Sequence, residues 1–163
     1  MYIELITVDD NMARSFTCAE EVQNGGFVKV KGLAKLSKYG VNLGGEAYET
    51  VKLTDAIGDE FAIVAPEDHR YDERLIPGDV PDVKANELFR GYLLHRGQEV
   101  RVEKANVDGE VAVGDLLSPK AGSYQLTKAV TTGDVGVNVN VVGKILEIGK
   151  YQGKDTYVIK FFG

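Results

Sequence analysis

Two apolar runs flank a glycine-containing connection in residues 146–161, which read LEIGKYQGKDTYVIKF. The first run is Leu146–Ile148, and in the second run Tyr157, Ile159 and Phe161 recur at every second position. Successive side chains of a strand point to opposite faces, so this spacing is typical of a strand with one apolar face. The connection between the runs holds turn-forming residues. The stretch therefore predicts an antiparallel hairpin.

The rest of the second half repeats this succession of strand-like runs and turns. Val100 and Val102 lie between charged residues, and Val137, Val139 and Val141 alternate with asparagines. Turn residues recur about every ten positions, as in small barrels and sandwiches whose strands are roughly five to six residues long. We therefore predict a mainly β fold, a small β-barrel or sandwich of short antiparallel strands, with long loops in the N-terminal half.

The first half is harder to assign. Short strand-like runs at Gly26–Val30 and Glu60–Val64 are separated by long polar stretches. Leu33–Glu49 contains three glycines, and we interpret it as a loop because an interior glycine costs a helix about 1 kcal/mol relative to alanine. Pro66–Asp82 holds three of the four prolines, which predicts a second long loop that reaches a partner or covers a site. Val83–Leu94 fits one or two helical turns or a strand equally well.

Charge is distributed unevenly along the 163 residues. The chain has 19 Lys and Arg against 25 Asp and Glu, a net charge of −6. Proteins that grip phosphate backbones are usually basic, because Lys and Arg release the condensed counterions. Residues 1–94 carry 10 basic and 17 acidic side chains, a net charge of −7, so nucleic acid is not an expected partner. We predict an acidic, loop-rich β part at residues 1–94 that contacts partners and a barrel-like part at residues 95–163, or one continuous domain.

The cellular compartment can also be predicted from the sequence. No apolar run reaches the roughly 18 residues of a membrane-spanning helix, and the first residues, MYIE, lack the basic and apolar regions of a signal peptide. We expect no membrane contact and synthesis in the cytoplasm. The single cysteine, Cys18, excludes an intrachain disulfide and is interpreted as a small buried side chain.

Catalytic signatures are missing from the sequence. It contains no glycine-rich phosphate loop, no H-E-x-x-H, no G-x-S-x-G and no C-x-x-C. Asp68, His69, Asp72 and Glu73 could together hold a divalent cation if a turn brought them inward. We favour the alternative, a solvated loop whose charge is balanced by neighbouring arginines. The sequence therefore predicts no catalytic residue, no cofactor and no metal.

Tyrosines are the remaining candidates for recognition. The positions interpreted as exposed are Tyr39, Tyr48, Tyr71, Tyr92 and Tyr124. Such rings could stack on single-stranded nucleic acid or anchor a protein interface, where tyrosine is enriched. The acidic net charge favours the protein interface.

Several short motifs resemble those of a group of bacteriophage head proteins. In the first half they are NGGFVKV (24–30), YETVK (48–52), APE (65–67), YDE (71–73) and RGYLLHRG (90–97). In the second half they are VGDLL (113–117), YQLT (124–127) and VGKILE (142–147). The pattern is similar to that of capsid decoration, or head cement, proteins, which are encoded beside the major capsid protein.

This resemblance implies a structural virion protein on the outer surface of a phage capsid. Its expected partner is the major capsid protein, with self-association on the capsid as a further expectation. We expect Met1–Tyr48 and Pro66–Asp82 to contact the shell. The interface candidates are Tyr39, Tyr48, Arg70, Tyr71 and Arg74. The alternative is a small β-barrel module that binds a glycan or single-stranded nucleic acid.

Overall fold

The computed structural model describes residues 3–7, 13–33, 35–36, 41–42, 47–65, 82–130, 140–151 and 153–162. Its strands are β1 (Ile3–Thr7), β2 (Ala13–Cys18), β3 (Phe27–Leu33), β4 (Lys35–Leu36), β5 (Val41–Asn42), β6 (Ala47–Val51), β7 (Phe61–Val64), β8 (Leu88–Leu93), β9 (Glu99–Glu103), β10 (Val107–Asp108), β11 (Leu116–Pro119), β12 (Leu126–Lys128), β13 (Gly143–Tyr151) and β14 (Lys154–Phe161). A 3₁₀ turn at Lys104–Asn106 joins β9 to β10. The predicted mainly β fold is confirmed.

Five strands close into a barrel in the order β2-β6-β3-β7-β8. Four of its five pairings are antiparallel, but β2 runs parallel to β6, with Ser15 opposite Ala47. The sequence alternation predicts antiparallel neighbours throughout and does not reveal this parallel pair. The barrel interior holds buried aliphatic and aromatic side chains, and the rings of Phe16 and Phe89 stack with centroids 5.9 Å apart.

Seven strands form a second sheet, in the order β1-β9-β14-β13-β11-β12-β10. Its first strand, β1, precedes the barrel in the chain, whereas its other strands follow the barrel. The barrel is therefore an insertion between two neighbouring strands of the sheet, β1 and β9. The division of the chain at residue 94 into a partner-contacting part and a barrel-like part stays a prediction, while the closed barrel itself lies within residues 13–93.

The predicted hairpin is confirmed as β13 and β14. Ile148 faces Tyr157 across it, and the positive φ of Gly153, 78°, provides the left-handed conformation of its turn. Tyr157, Ile159 and Phe161 are buried, as their alternation predicts. A bulge between Ile145 and Glu147 interrupts the register. The outer half of β13, from Leu146 onward, is mostly exposed.

Two ambiguous stretches of the first half are resolved by the structure. Val83–Leu94 contains the strand β8, because Leu88–Leu93 pairs with both β2 and β7. The interpretation of Leu33–Glu49 as one loop is wrong in part. The stretch contains the two-stranded pair β4–β5 and the start of β6. Strands of two residues leave almost no pattern in the sequence, and they can pair once the neighbouring strands bring them together. Val137 and Val139 lie outside the described residues.

Barrel and sheet share one apolar core. A single cluster of buried side chains includes Phe27 and Ile63 from the barrel together with Val100, Ile145 and Phe161 from the sheet. Backbone hydrogen bonds reinforce the junction. The N–H of Phe27 donates to the carbonyl of Tyr124 and that of Leu53 donates to the carbonyl of Ser123, each over 2.9 Å. The two parts are therefore expected to fold as one cooperative unit.

Candidate functional site

A groove of about 430 Å³ opens where the barrel meets the sheet. Its floor is apolar and includes Phe27 and Phe61 from the barrel and Leu126 and Phe161 from the sheet. The volume falls within the roughly 300–1,000 Å³ of sites that hold small ligands. The groove is the candidate binding site of the described residues.

The walls of the groove come from segments that are distant in sequence. The connection between β6 and β7 contributes Ile57 through Glu60, and the residues after β8 contribute Leu94 and His95. The side-chain amide of Asn140 donates to the carbonyl of Ala56 over 3.0 Å and so ties the opposite wall to this connection. The rim is therefore fixed by hydrogen bonding between the two parts.

One acidic side of the rim contains Asp59 and Glu60. Asp59 forms an ion pair with Lys29, with the Lys29 Nζ 3.0 Å from the carboxylate, and accepts a hydrogen bond from the Thr54 hydroxyl. The Thr54 hydroxyl, and after it the Lys29 ammonium, hold the pKa of Asp59 below its ordinary value of 3.8, although burial opposes them. Among the described residues Glu60 has no ion-pair partner, and its side chain is exposed. Glu60 therefore provides an uncompensated negative charge beside the apolar floor.

Ile57 gives the rim an exposed apolar side chain. It is 65% exposed, whereas Phe61 and Leu94 beside it are half-buried. A large aliphatic group held in water next to an apolar groove favours association with another apolar surface. The groove thus combines an apolar floor, an apolar rim residue and one carboxylate that no described residue pairs with, which suits binding.

A second polar cluster lies at the same junction. The hydroxyl of Tyr124 is 3.4 Å from the thiol of Cys18 and donates to Glu20 over 3.2 Å, and Glu20 accepts from Lys52 over 2.9 Å. Burial, and then the contacts with Cys18 and Glu20, raise the pKa of Tyr124, so its hydroxyl stays protonated. Lys52 first, then Tyr124, lower the pKa of Glu20. Tyr124 lies between β11 and β12, so this chain of contacts links the barrel to the sheet.

The structure describes only one of the predicted interface candidates. Tyr48 lies on β6, is half-buried, and its ring is 5.9 Å from that of Phe16. Part of this tyrosine therefore packs on the barrel core. The other four candidates lie outside the described residues: Tyr39, Arg70, Tyr71 and Arg74. Whether any of the five contacts a partner stays a prediction.

Two other tyrosines differ from their predicted exposure. Tyr92 is buried, only 8% exposed, because β8 turns its ring into the core, and Tyr124 is half-buried at the junction. Cys18 is buried, as predicted. The acidic residues Asp68, Asp72 and Glu73, with His69, lie outside the described residues. Within the parts of the chain that the structure describes, no group of three or more His, Cys, Asp or Glu side chains is placed to hold a metal ion.

The groove was not among the sites predicted from the sequence. Of its floor residues, Phe161 is assigned to an apolar strand face from alternation, and nothing local distinguishes a core position that borders an opening. Only the pair Asp59 and Glu60, directly before the apolar run of β7, signals a polar edge there. The site depends on contacts between segments far apart in the chain.

Comparison of the chain with protein-family models, with curated proteins and with solved structures gives no match. In the described ranges, no helix has the length and apolar character needed to cross a membrane.

Proposed function

We propose that this chain is a structural virion protein that binds the outer surface of a phage capsid and stabilises contacts between neighbouring major capsid subunits. The observation that carries the proposal is that the strands flanking two long connections begin and end at opposite ends of a closed barrel. A protein that bridges two subunits needs two contact regions held apart by a scaffold. Area and shape complementarity matter more for such a role than a reactive site.

The strand directions establish this placement. β2, β6 and β7 run one way and β3 and β8 run the other way, as their pairings require. The connection from β3 to β6 therefore begins and ends at one end of the barrel, where Leu33 faces Tyr48. The connection from β7 to β8 begins and ends at the other end, where Val22 pairs with Val83. These connections include four of the five interface candidates, Tyr39, Arg70, Tyr71 and Arg74.

Charge and copy number support the same proposal. The net charge of −7 over residues 1–94 suits a basic patch on the capsid, where it would increase the association rate and help to set the orientation. A symmetric shell presents many equivalent sites, so a modest affinity at each contact suffices when contacts are linked. The scaffold is stiff because barrel and sheet share one core.

The experiment is co-sedimentation of the purified full chain with expanded capsids assembled from the major capsid protein of the same genome. The proposal predicts saturable binding at micromolar concentrations and greater heat tolerance of the decorated capsids. Unexpanded capsids and capsids of an unrelated phage are the controls. Absence of binding to the cognate expanded capsids contradicts the proposal.

A glycan-binding module is the second candidate, and the aromatic floor of the groove favours it. The half-buried Phe61 lines the opening beside the buried Phe27 and Phe161, and an accessible aromatic ring can pack against the apolar face of a sugar. The carboxylates of Asp59 and Glu60 at the rim disfavour the phosphates of single-stranded nucleic acid. Saturable, salt-independent binding on a glycan array would support this candidate.

A further inference from the structure

We propose that the groove between barrel and sheet binds a protruding segment of the capsid subunit in which an apolar side chain is followed by Lys or Arg. This inference rests on the proposed function for the source of the segment. The groove itself determines the chemistry of the segment. It adds a third contact region to the two connections.

The apolar part of the recognition follows from the floor. Phe27 and Phe161 form its base, with ring centroids 5.9 Å apart, and their positions are fixed by the shared core. An inserted aromatic or aliphatic side chain would remove the half-buried Phe61 and Leu94 and the exposed Ile57 from water together, which is the arrangement of an interface anchor.

The basic part follows from the rim. Lys29 already neutralises Asp59, so Glu60 is the acidic rim residue without an ion-pair partner among the described residues. A Lys or Arg next to the inserted side chain would reach this carboxylate at the solvent boundary. An acidic residue at the same place would be repelled. Charge complementarity therefore selects a basic neighbour.

The test uses the full chain and three small probes, monitored by ¹H–¹⁵N NMR. The probes are N-acetyl-Phe-Arg-amide, its partner N-acetyl-Phe-Glu-amide and N-acetyl-Gly-Arg-amide. We expect the Phe-Arg probe to shift the amide signals of Gly58, Leu94 and Asn140 in a saturable manner. The Phe-Glu probe should bind at least about threefold more weakly. The Gly-Arg probe should produce no saturable shift. Equal binding of the Phe-Arg and Phe-Glu probes, or shifts outside the groove only, would overturn the inference.

Two pairs of variants separate specific binding from loss of structure. Ile57→Asp should weaken binding of the Phe-Arg probe about tenfold. Val113→Asp, at a similarly exposed valine away from the groove, should leave this binding unchanged. Glu60→Gln should remove the preference for Phe-Arg over Phe-Glu, whereas Glu21→Gln should keep it. Unchanged spectra elsewhere show that each variant is folded. Retention of wild-type probe binding by Ile57→Asp would contradict the proposed site.

Capsid binding separates the failure of this inference from failure of the proposed function. If wild-type protein binds capsids but Ile57→Asp binds them equally well, the groove is not a capsid contact and the inference fails alone. If wild-type protein binds the Phe-Arg probe but not capsids, the proposed function fails. A concentration-dependent dimer in sedimentation that Ile57→Asp abolishes would assign the groove to a second copy of the chain and overturn the inference.

Discussion

The rings of Phe27 and Phe161 meet with centroids 5.9 Å apart and planes inclined by 55°. Phe27 begins the barrel strand β3 and Phe161 ends the sheet strand β14, so this contact crosses the junction between the two parts. Both side chains are almost completely buried. The junction is therefore part of the core, and the groove above it has a rigid base.

Replacement of Phe161 tests this shared core. Phe161→Ala should lower the free energy of unfolding by about 3–5 kcal/mol, because it removes a buried ring and leaves a cavity. Phe162→Ala, at the next residue and 38% exposed, should cost about 1 kcal/mol or less. Chemical denaturation followed by fluorescence and by circular dichroism provides the measurement. Separate transitions for barrel and sheet in the wild type would contradict a single core.

The hairpin offers two isoleucines with opposite environments. Ile159→Asp should prevent folding, because an unpaired carboxylate in a fully buried position costs several kcal/mol. Ile148→Asp, at a position 43% exposed on the partner strand, should leave a cooperative thermal transition close to that of the wild type. Circular dichroism during heating distinguishes the two variants. A soluble, cooperatively melting Ile159→Asp protein would show that the strand faces are assigned wrongly.

Gly91 has a packing role that Gly32 lacks. A Cβ added at Gly91 would lie 2.6 Å from the carbonyl oxygen of Ile63 and 2.9 Å from the Phe16 ring, and the backbone oxygen cannot move away without breaking the barrel pairing. Gly91→Ala should therefore cost about 1–3 kcal/mol. Gly32→Ala meets nothing within 4 Å and should leave stability unchanged or raise it slightly. Equal denaturation midpoints for the two variants would refute this packing.

Asp59 makes a contribution to stability that depends on pH. Its folded-state pKa lies below the ordinary 3.8, so the stabilisation is complete above the unfolded-state pKa and is lost as the pH falls through the folded-state pKa. Asp59→Asn removes this carboxyl group. The free energy of unfolding should therefore fall less between about pH 5 and pH 2, the range in which carboxyl groups titrate. Thr54→Val, which removes the main donor, should have an intermediate effect. Urea unfolding at a series of pH values measures this. The same dependence of the free energy of unfolding on pH in the wild type and both variants would contradict the assigned contacts.

Much of the fold follows from local patterns in the sequence. Alternation at Tyr157, Ile159 and Phe161 predicts the hairpin and its buried face, and turn glycines such as Gly109 and Gly153 do adopt positive φ. Closure of the barrel and its parallel β2–β6 pair are not predictable in this way. They depend on which strands meet across long separations, and alternation carries no information about the partner strand.

The candidate site could be predicted less well than the fold. The groove is bordered by Phe27, Ile57, Leu94 and Phe161. These residues are too far apart in the sequence to form a recognisable local motif. Taken by itself, each of these residues has the sequence pattern of an ordinary core or surface position. The sequence-based candidates at Arg70, Tyr71 and Arg74 rest on loop composition and lie outside the described residues.

The most direct test of the central claim is the disruption temperature of expanded capsids with and without the full chain. Two further proteins carry Gly-Ser replacements, one of the connection between β3 and β6 and one of residues 66–81. The account predicts that the wild type raises the disruption temperature, while each variant still sediments with capsids but gives no increase, since only one end of the barrel then holds a subunit. A wild-type protein that leaves the disruption temperature unchanged at saturating concentration would contradict it.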